Sequence, residues 1–196
     1  MTDPKFLRLV FLVNAVLPAI LIGIDWQQGS LGANSVEFVT RATGVLALVF
    51  MVLTLMVTPL RKLFHLNWLL KQRRLLGLVA FFYAAAHFLT YLAFDRDWRL
   101  VTVPADVWQR PFIALGLLSF LLMIPLAATS TNAMIKKLGG RKWNRLHRLT
   151  YYIAIGGVIH YYLIVKSDTS WPLLFGVAVA VLLGWRIVTA ARRQQT

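Results

Sequence analysis

Cysteine is absent from the 196 residues. That absence excludes disulfides, zinc–thiolate sites and cysteine-ligated iron–sulfur clusters, and it leaves histidine as the obvious metal-binding side chain. Charge is also scarce. Asp, Glu, Lys and Arg make up 14% of the chain, against roughly 25% in soluble domains. Carboxylates are scarcest, seven against 21 basic residues. No internal repeat, low-complexity linker or domain boundary divides the sequence, so one bundle over residues 1–196 is the natural architecture. What fills the space is apolar: 59% of residues are hydrophobic and the mean hydropathy is +0.67. This is the composition of a membrane protein.

A transmembrane helix needs about 20 mostly apolar residues. Six stretches qualify, over 6–24, 42–60, 75–94, 112–128, 147–165 and 171–191. They predict an all-α polytopic bundle. Lys5 and Arg8 resemble the basic start of a signal peptide, but the first apolar run is long and no small-x-small cleavage motif follows it, so it reads as a retained helix. Arg186, in the sixth span, is placed to snorkel to the interface.

The charges give the topology. The N-terminus, the second and fourth loops and the tail hold 16 of the basic residues and one acid, Asp3. The alternate loops hold Arg41, Arg96, Arg99, Arg110 and Lys166 against six acids. Basic residues accumulate on the cytoplasmic side, so both termini are expected there. This alternation accounts for the net charge of +14 through orientation and contact with anionic lipid, without nucleic acid. Trp26, Trp98 and Trp108 fall in the outer loops, where they suit either an interfacial aromatic belt or a docking surface.

Ionisable side chains inside a span are costly and mark candidate sites. His87 lies 13 residues after Arg74, and His160 lies 13 residues after His147. The third and fifth spans run in the same direction, so both histidines are expected at one depth, roughly 20 Å from the cytoplasmic end. Two imidazoles at one level on parallel helices suit the opposite faces of one haem iron, and bis-nitrogen ligation favours electron transfer over oxygen chemistry. An isolated intramembrane histidine more often bonds a neighbouring helix; the matched depth is what favours ligation here. His147 and Arg73 form a second level near the cytoplasmic surface, a place for another cofactor, with an interfacial role for His147 as the competing reading. An ideal helix would set His147 about 140° around from His160. Either the two have different roles, the helix distorts near Gly156–Gly157, or His147 precedes the regular helix. His65 reads as a solvated loop residue.

At these residues the chain resembles the ferric-reductase-like transmembrane family. The segments that carry the likeness are RRLLGLVAFFYAAAHFLTY, residues 73–91, and LGGRKWNRLHRLTYYIAIGGVIHYY, residues 138–162. The TPLR that closes the second span, residues 58–61, and the six-span layout fit as well. Within the family the chain looks like the haem-binding membrane subunits of periplasmic methionine-sulfoxide reductase systems. The resemblance implies b-type haem, one or two, held by residues matching His87, His147 and His160. Wider relatives place a fourth histidine near the level of Arg73, which puts a second bis-histidine haem in question. It also implies electrons from the quinone pool or a separate flavin reductase, an associated FMN, and a periplasmic molybdopterin-containing reductase as partner.

The expected function is therefore that of an electron-transfer subunit in a bacterial inner membrane, with substrate reduction performed by the partner. The alternatives are a stand-alone transmembrane ferric reductase and a non-redox six-helix membrane protein. A transporter is poorly supported, since no acid falls mid-span and no paired broken helices appear.

Overall fold

The computed structural model describes residues 4–192. Asp3 and Arg193, which enter the charge pattern, and the side chain of Lys5 lie outside the described residues. Among those residues there is no strand. The helices are α1 Pro4–Gln27, α2 Ser35–Phe64, α3 Leu69–Thr90, α4 Val103–Gln109, α5 Pro111–Ala128, α6 Asn132–Leu138, α7 Gly140–Leu146, α8 Leu149–Ile164 and α9 Ser170–Arg192. A π turn, Tyr91–Asp95, prolongs α3, and a 3₁₀ turn, Leu100–Thr102, leads into α4.

Helices α1, α2, α3 with its π turn, α5 and α9 are long and apolar enough to cross a membrane. The fifth expected span is occupied by α8, which has 16 residues. That is about 24 Å, a few Å short of the hydrocarbon core, a mismatch that bilayer thinning and flanking residues absorb.

The helices outrun the apolar stretches because polar residues cap them. The second helix begins at Ser35 rather than residue 42. Asn34 Oδ1 accepts from the Glu37 N–H at 3.1 Å, and Asn34 Nδ2 donates to Glu37 Oε2 at 3.0 Å. Glu37 then pairs with Arg41 one turn on, at 2.7 Å. This is the reciprocal logic of a capping box, with Asn as the cap. At the other end His65 takes the left-handed conformation that stops α2, with φ of 57°. The basic fourth loop is not a loop. It folds into α6 and α7, and Arg74 Nη1 ties α3 to it by donating to Asn132 Oδ1 at 2.6 Å.

Two pairs dominate the packing: α2 lies most extensively on α3, and α5 on α8. Helix α9 closes the bundle against α2 and α8, while α1 touches α3 lightly. Leu55, Val57, Ala80, Ile153, Ala154 and Val179 are buried where these helices meet. Tyr83 holds α1 by donating its hydroxyl to the Ala15 carbonyl at 2.6 Å. Arg186 does not snorkel outward. Its Nη2 donates to the Leu55 carbonyl at 2.7 Å and its Nη1 to the Tyr151 hydroxyl at 3.1 Å, because a carbonyl and a phenol inside the bundle lie within its reach.

Gly156–Gly157 does not distort α8, which is regular throughout. The glycines serve close approach instead. A Cβ at Gly156 would collide with Ser119 Oγ of α5, the small-residue contact typical of membrane helix interfaces. Gly156→Val is therefore expected to push α5 and α8 apart and cost about 1–3 kcal/mol by overpacking. Thermal unfolding in detergent measures it; an unchanged midpoint would exclude that contact.

Candidate functional site

His87 stands on the last turn of α3 and His160 on the last turn but one of α8. The two halves of the bundle hold them in the same way. His87 Nδ1–H donates to the Thr40 carbonyl of α2 at 2.8 Å, and His160 Nδ1–H donates to the Phe112 carbonyl of α5 at 2.6 Å. A carbonyl accepts, so each bond assigns the proton to Nδ1 and leaves Nε2 with its lone pair. One turn beyond each carbonyl the helix carries a glycine, and each ring lies against it. A Cβ on Gly44 would fall 3.0 Å from His87 Nδ1, and one on Gly116 would fall 2.7 Å from His160 Nδ1.

The two imidazoles meet across the bundle axis. Their ring centroids are 6.0 Å apart and their planes are inclined at 83°. Imidazole nitrogen binds a first-row metal at about 2 Å and a ring centroid lies about 1 Å behind its Nε2, so two imidazoles on opposite sides of one ion have centroids roughly 6 Å apart. The spacing therefore fits a shared metal. A carbonyl on the second ring nitrogen is the usual support of a metal-bound histidine. Among the described residues no cluster of three or more His, Cys, Asp or Glu forms a metal cage. The donor set is thus two imidazole nitrogens, which would suit an ion whose other ligands come from a macrocycle.

Aromatic rings line this level on the side facing the N-terminal end of α3. Phe88 stacks on Phe120 at 5.1 Å and Phe120 on Phe81 at 5.9 Å. Phe81 in turn forms part of the wall of a cavity of about 280 Å³ between α3, α5 and α7. Arg73, Arg74, Trp143 and His147 line its basic end. Arg73 has no hydrogen-bond partner among the described residues, while Thr54, Ser130 and Thr150 spend their hydroxyls on carbonyls of their own segments. The cavity thus offers cationic donors to whatever it takes.

His147 precedes α8 as the cap of α7, so the angular conflict with His160 does not arise. Its setting differs from that of the intramembrane pair. The Trp143 ring stacks on it at 3.9 Å, and Trp143 Nε1–H donates to the Thr129 carbonyl at 2.9 Å. His147 Nε2 lies 3.2 Å from Thr129 Oγ1, whose own proton goes to the Pro125 carbonyl at 2.7 Å. Nε2–H therefore donates to that oxygen, and Nδ1 is the nitrogen left open. His65 is exposed at the α2 cap, away from either level.

Beyond the C-terminal end of α3 one buried cluster pins the 95–110 segment. Asp106 of α4, 5% exposed, accepts from the Tyr91 hydroxyl at 2.5 Å and lies 2.6 Å from Arg96 Nε. Tyr91 is one turn beyond His87, so the cluster caps the histidine level.

Sequence reasoning located the histidines and missed what holds them. Gly44 and Gly116, each four residues beyond the carbonyl that its partner histidine uses, were the available signal: a lone glycine inside an apolar span usually marks close approach. The Tyr91–Asp106 contact carried no such signal.

A helical membrane bundle with a histidine pair between its third and fifth spans defines a class, and the family comparison agrees with it. Residues 43–158 match the family described as ferric reductase like transmembrane component. A haem-binding subunit of protein-methionine-sulfoxide reductase, MsrQ, from Azospira oryzae is 47% identical over 90% of this chain and 76% of its own length. The MsrQ of Herminiimonas arsenicoxydans is 45% identical over 96% of this chain and 87% of its own. The magnetosome protein MamZ of Magnetospirillum gryphiswaldense is 42% identical over 91% of this chain but only 28% of its own length. The chain belongs to the ferric-reductase-like transmembrane family and, within it, to the MsrQ group.

Proposed function

We propose that this chain is a haem b electron-transfer subunit of a bacterial inner membrane, with both termini in the cytoplasm. It takes electrons from the quinone pool, or from a flavin reductase, and passes them to a soluble periplasmic molybdopterin-containing reductase that repairs methionine sulfoxide in proteins. The supporting observation is the His87–His160 pair: two Nδ1–H groups fixed by carbonyls and ring centroids 6.0 Å apart. The MsrQ relatives carry haem binding and methionine-sulfoxide reductase in their names.

Haem, when bound, supplies a one-electron iron couple. The protein supplies placement. His87 and His160 would hold the iron, and two imidazole ligands would leave it no open position for oxygen. Phe81, Phe88 and Phe120 exclude water between the pair and the cavity. Arg73, Arg74 and His147 make that cavity the place for an anionic or carbonyl-bearing group, and the electron donor, FMN or a second haem with His147 as its ligand would be held there.

The purified protein in detergent is expected to show a low-spin b-type reduced-minus-oxidised spectrum; a colourless protein made with adequate haem supply would refute the proposal. A pyridine-haemochrome count on wild type and His147→Ala then reads the cavity. A fall of one haem per chain assigns His147 to a second haem, and an unchanged count assigns the cavity to the donor.

A further inference from the structure

The two histidines are held by matching latches, each a backbone carbonyl with a glycine one turn further along the same helix. On α2 these are Thr40 and Gly44, and on α5 Phe112 and Gly116. The carbonyl stops the ring from rotating about its Cβ–Cγ bond. The glycine leaves room for the Nδ1–Cε1 edge of the ring against the helix. With Nδ1 clamped at 2.8 Å or 2.6 Å, the ring cannot retreat from an added methyl without breaking its hydrogen bond. A Cβ at residue 116 would sit 2.7 Å from both Nδ1 and Cε1 of His160, and one at residue 44 would sit 3.0 and 3.1 Å from the same atoms of His87. Real Cβ atoms essentially never come as close as the first pair.

The clamped rings stand nearly perpendicular, at 83°. When two imidazoles bind one iron on opposite sides, both ring planes contain the nitrogen–iron–nitrogen axis, so this angle is the torsion between the ligands. Parallel rings donate π density to one iron d orbital and split the near-degenerate pair. Perpendicular rings donate to both orbitals and leave the pair close in energy.

We propose that Gly44 and Gly116 are positioning residues that fix the axial imidazoles perpendicular and so set the electronic ground state of the haem iron. The inference rests on the haem reading above. Its signature is electron paramagnetic resonance of the oxidised protein. Perpendicular axial imidazoles give a single, strongly anisotropic low-field line, and near-parallel ones give an ordinary three-line rhombic spectrum.

The test records this spectrum for wild type, Gly44→Ala, Gly116→Ala and a control, Gly184→Ala, where an added Cβ meets nothing within 4 Å. Wild type and the control are expected to share the low-field line. Gly44→Ala keeps haem and moves the line towards the rhombic pattern. Gly116→Ala, the tighter contact, moves it further or loses haem; wild type and Gly44→Ala decide the matter in that event. A rhombic wild-type spectrum overturns the inference while leaving the haem reading intact. So does a low-field line unmoved in a haem-loaded Gly44→Ala protein. A wild type without haem fails at the earlier step, and both fall together.

Discussion

His160→Ala is expected to reduce the haem proposed for the intramembrane level to background and to abolish the proposed electron transfer. The substitution removes one of the two imidazoles proposed to hold the iron. No third histidine stands near: His147 lies at the cap of α7 and His65 beyond the end of α2. Losing the support of a metal ligand typically costs about 10–100-fold in affinity, and losing the ligand itself costs more. Folding should survive, because the imidazole lies against Gly116 and its one hydrogen bond among the described residues is to a carbonyl within a helix. Haem per chain, visible spectrum and thermal unfolding measured on one preparation separate the two effects. Imidazole added to the variant should restore part of the low-spin signal by filling the vacated space. A His160→Ala protein that retains the full bis-histidine spectrum without added imidazole would exclude the pairing. His87→Ala is expected to behave alike, since Thr40 and Gly44 repeat the same latch.

How much of this was legible in the sequence follows from the physics of each element. Hydrocarbon forces every span to satisfy its backbone internally, so long apolar stretches could only become helices. Both ends of α2 escaped that logic, because Asn34 and His65 are polar residues acting at the chain's turns rather than in lipid. The equal spacing of Arg74–His87 and His147–His160 pointed to one depth, and the structure joins the two rings. Depth alone could not give azimuth. Whether His87 faces His160 depends on which side of α3 lies on α2, and that is fixed by Gly44, Gly77 and the buried Thr54, contacts that do not show in hydropathy. The basic run over 136–148 read as loop because its charges mask the short helices α6 and α7. Those helices are what place Trp143 on His147 and close the cavity. The Asp106 cluster was illegible for another reason. Its members lie five to fifteen residues apart across a π turn and two short helices, a separation with no periodic signature.

That cluster carries the second large effect. Asp106→Ala is expected to destabilise the protein by about 3 kcal/mol or more, since breaking a buried ion pair leaves the surviving charge uncompensated. Arg96 would keep its guanidinium at 20% side-chain exposure with no carboxylate beside it, and the Tyr91 hydroxyl would lose its acceptor. The damage should be local before it is global. Residues 95–110 are held to the end of α3 by these contacts, so limited proteolysis should cut that segment first while the haem spectrum persists. Asp106→Asn keeps the shape and one acceptor oxygen and should cost less. The double variant Arg96→Ala/Asp106→Ala should recover part of the single loss, because neither charge is left alone, and the cycle of variants isolates the pair's coupling. Equal proteolysis of wild type and Asp106→Ala at the 95–110 segment would show that Asp106 does not hold it. The sign of the recovery in the double variant then separates ion pairing from simple loss of packing: packing loss adds, and an orphaned charge cancels.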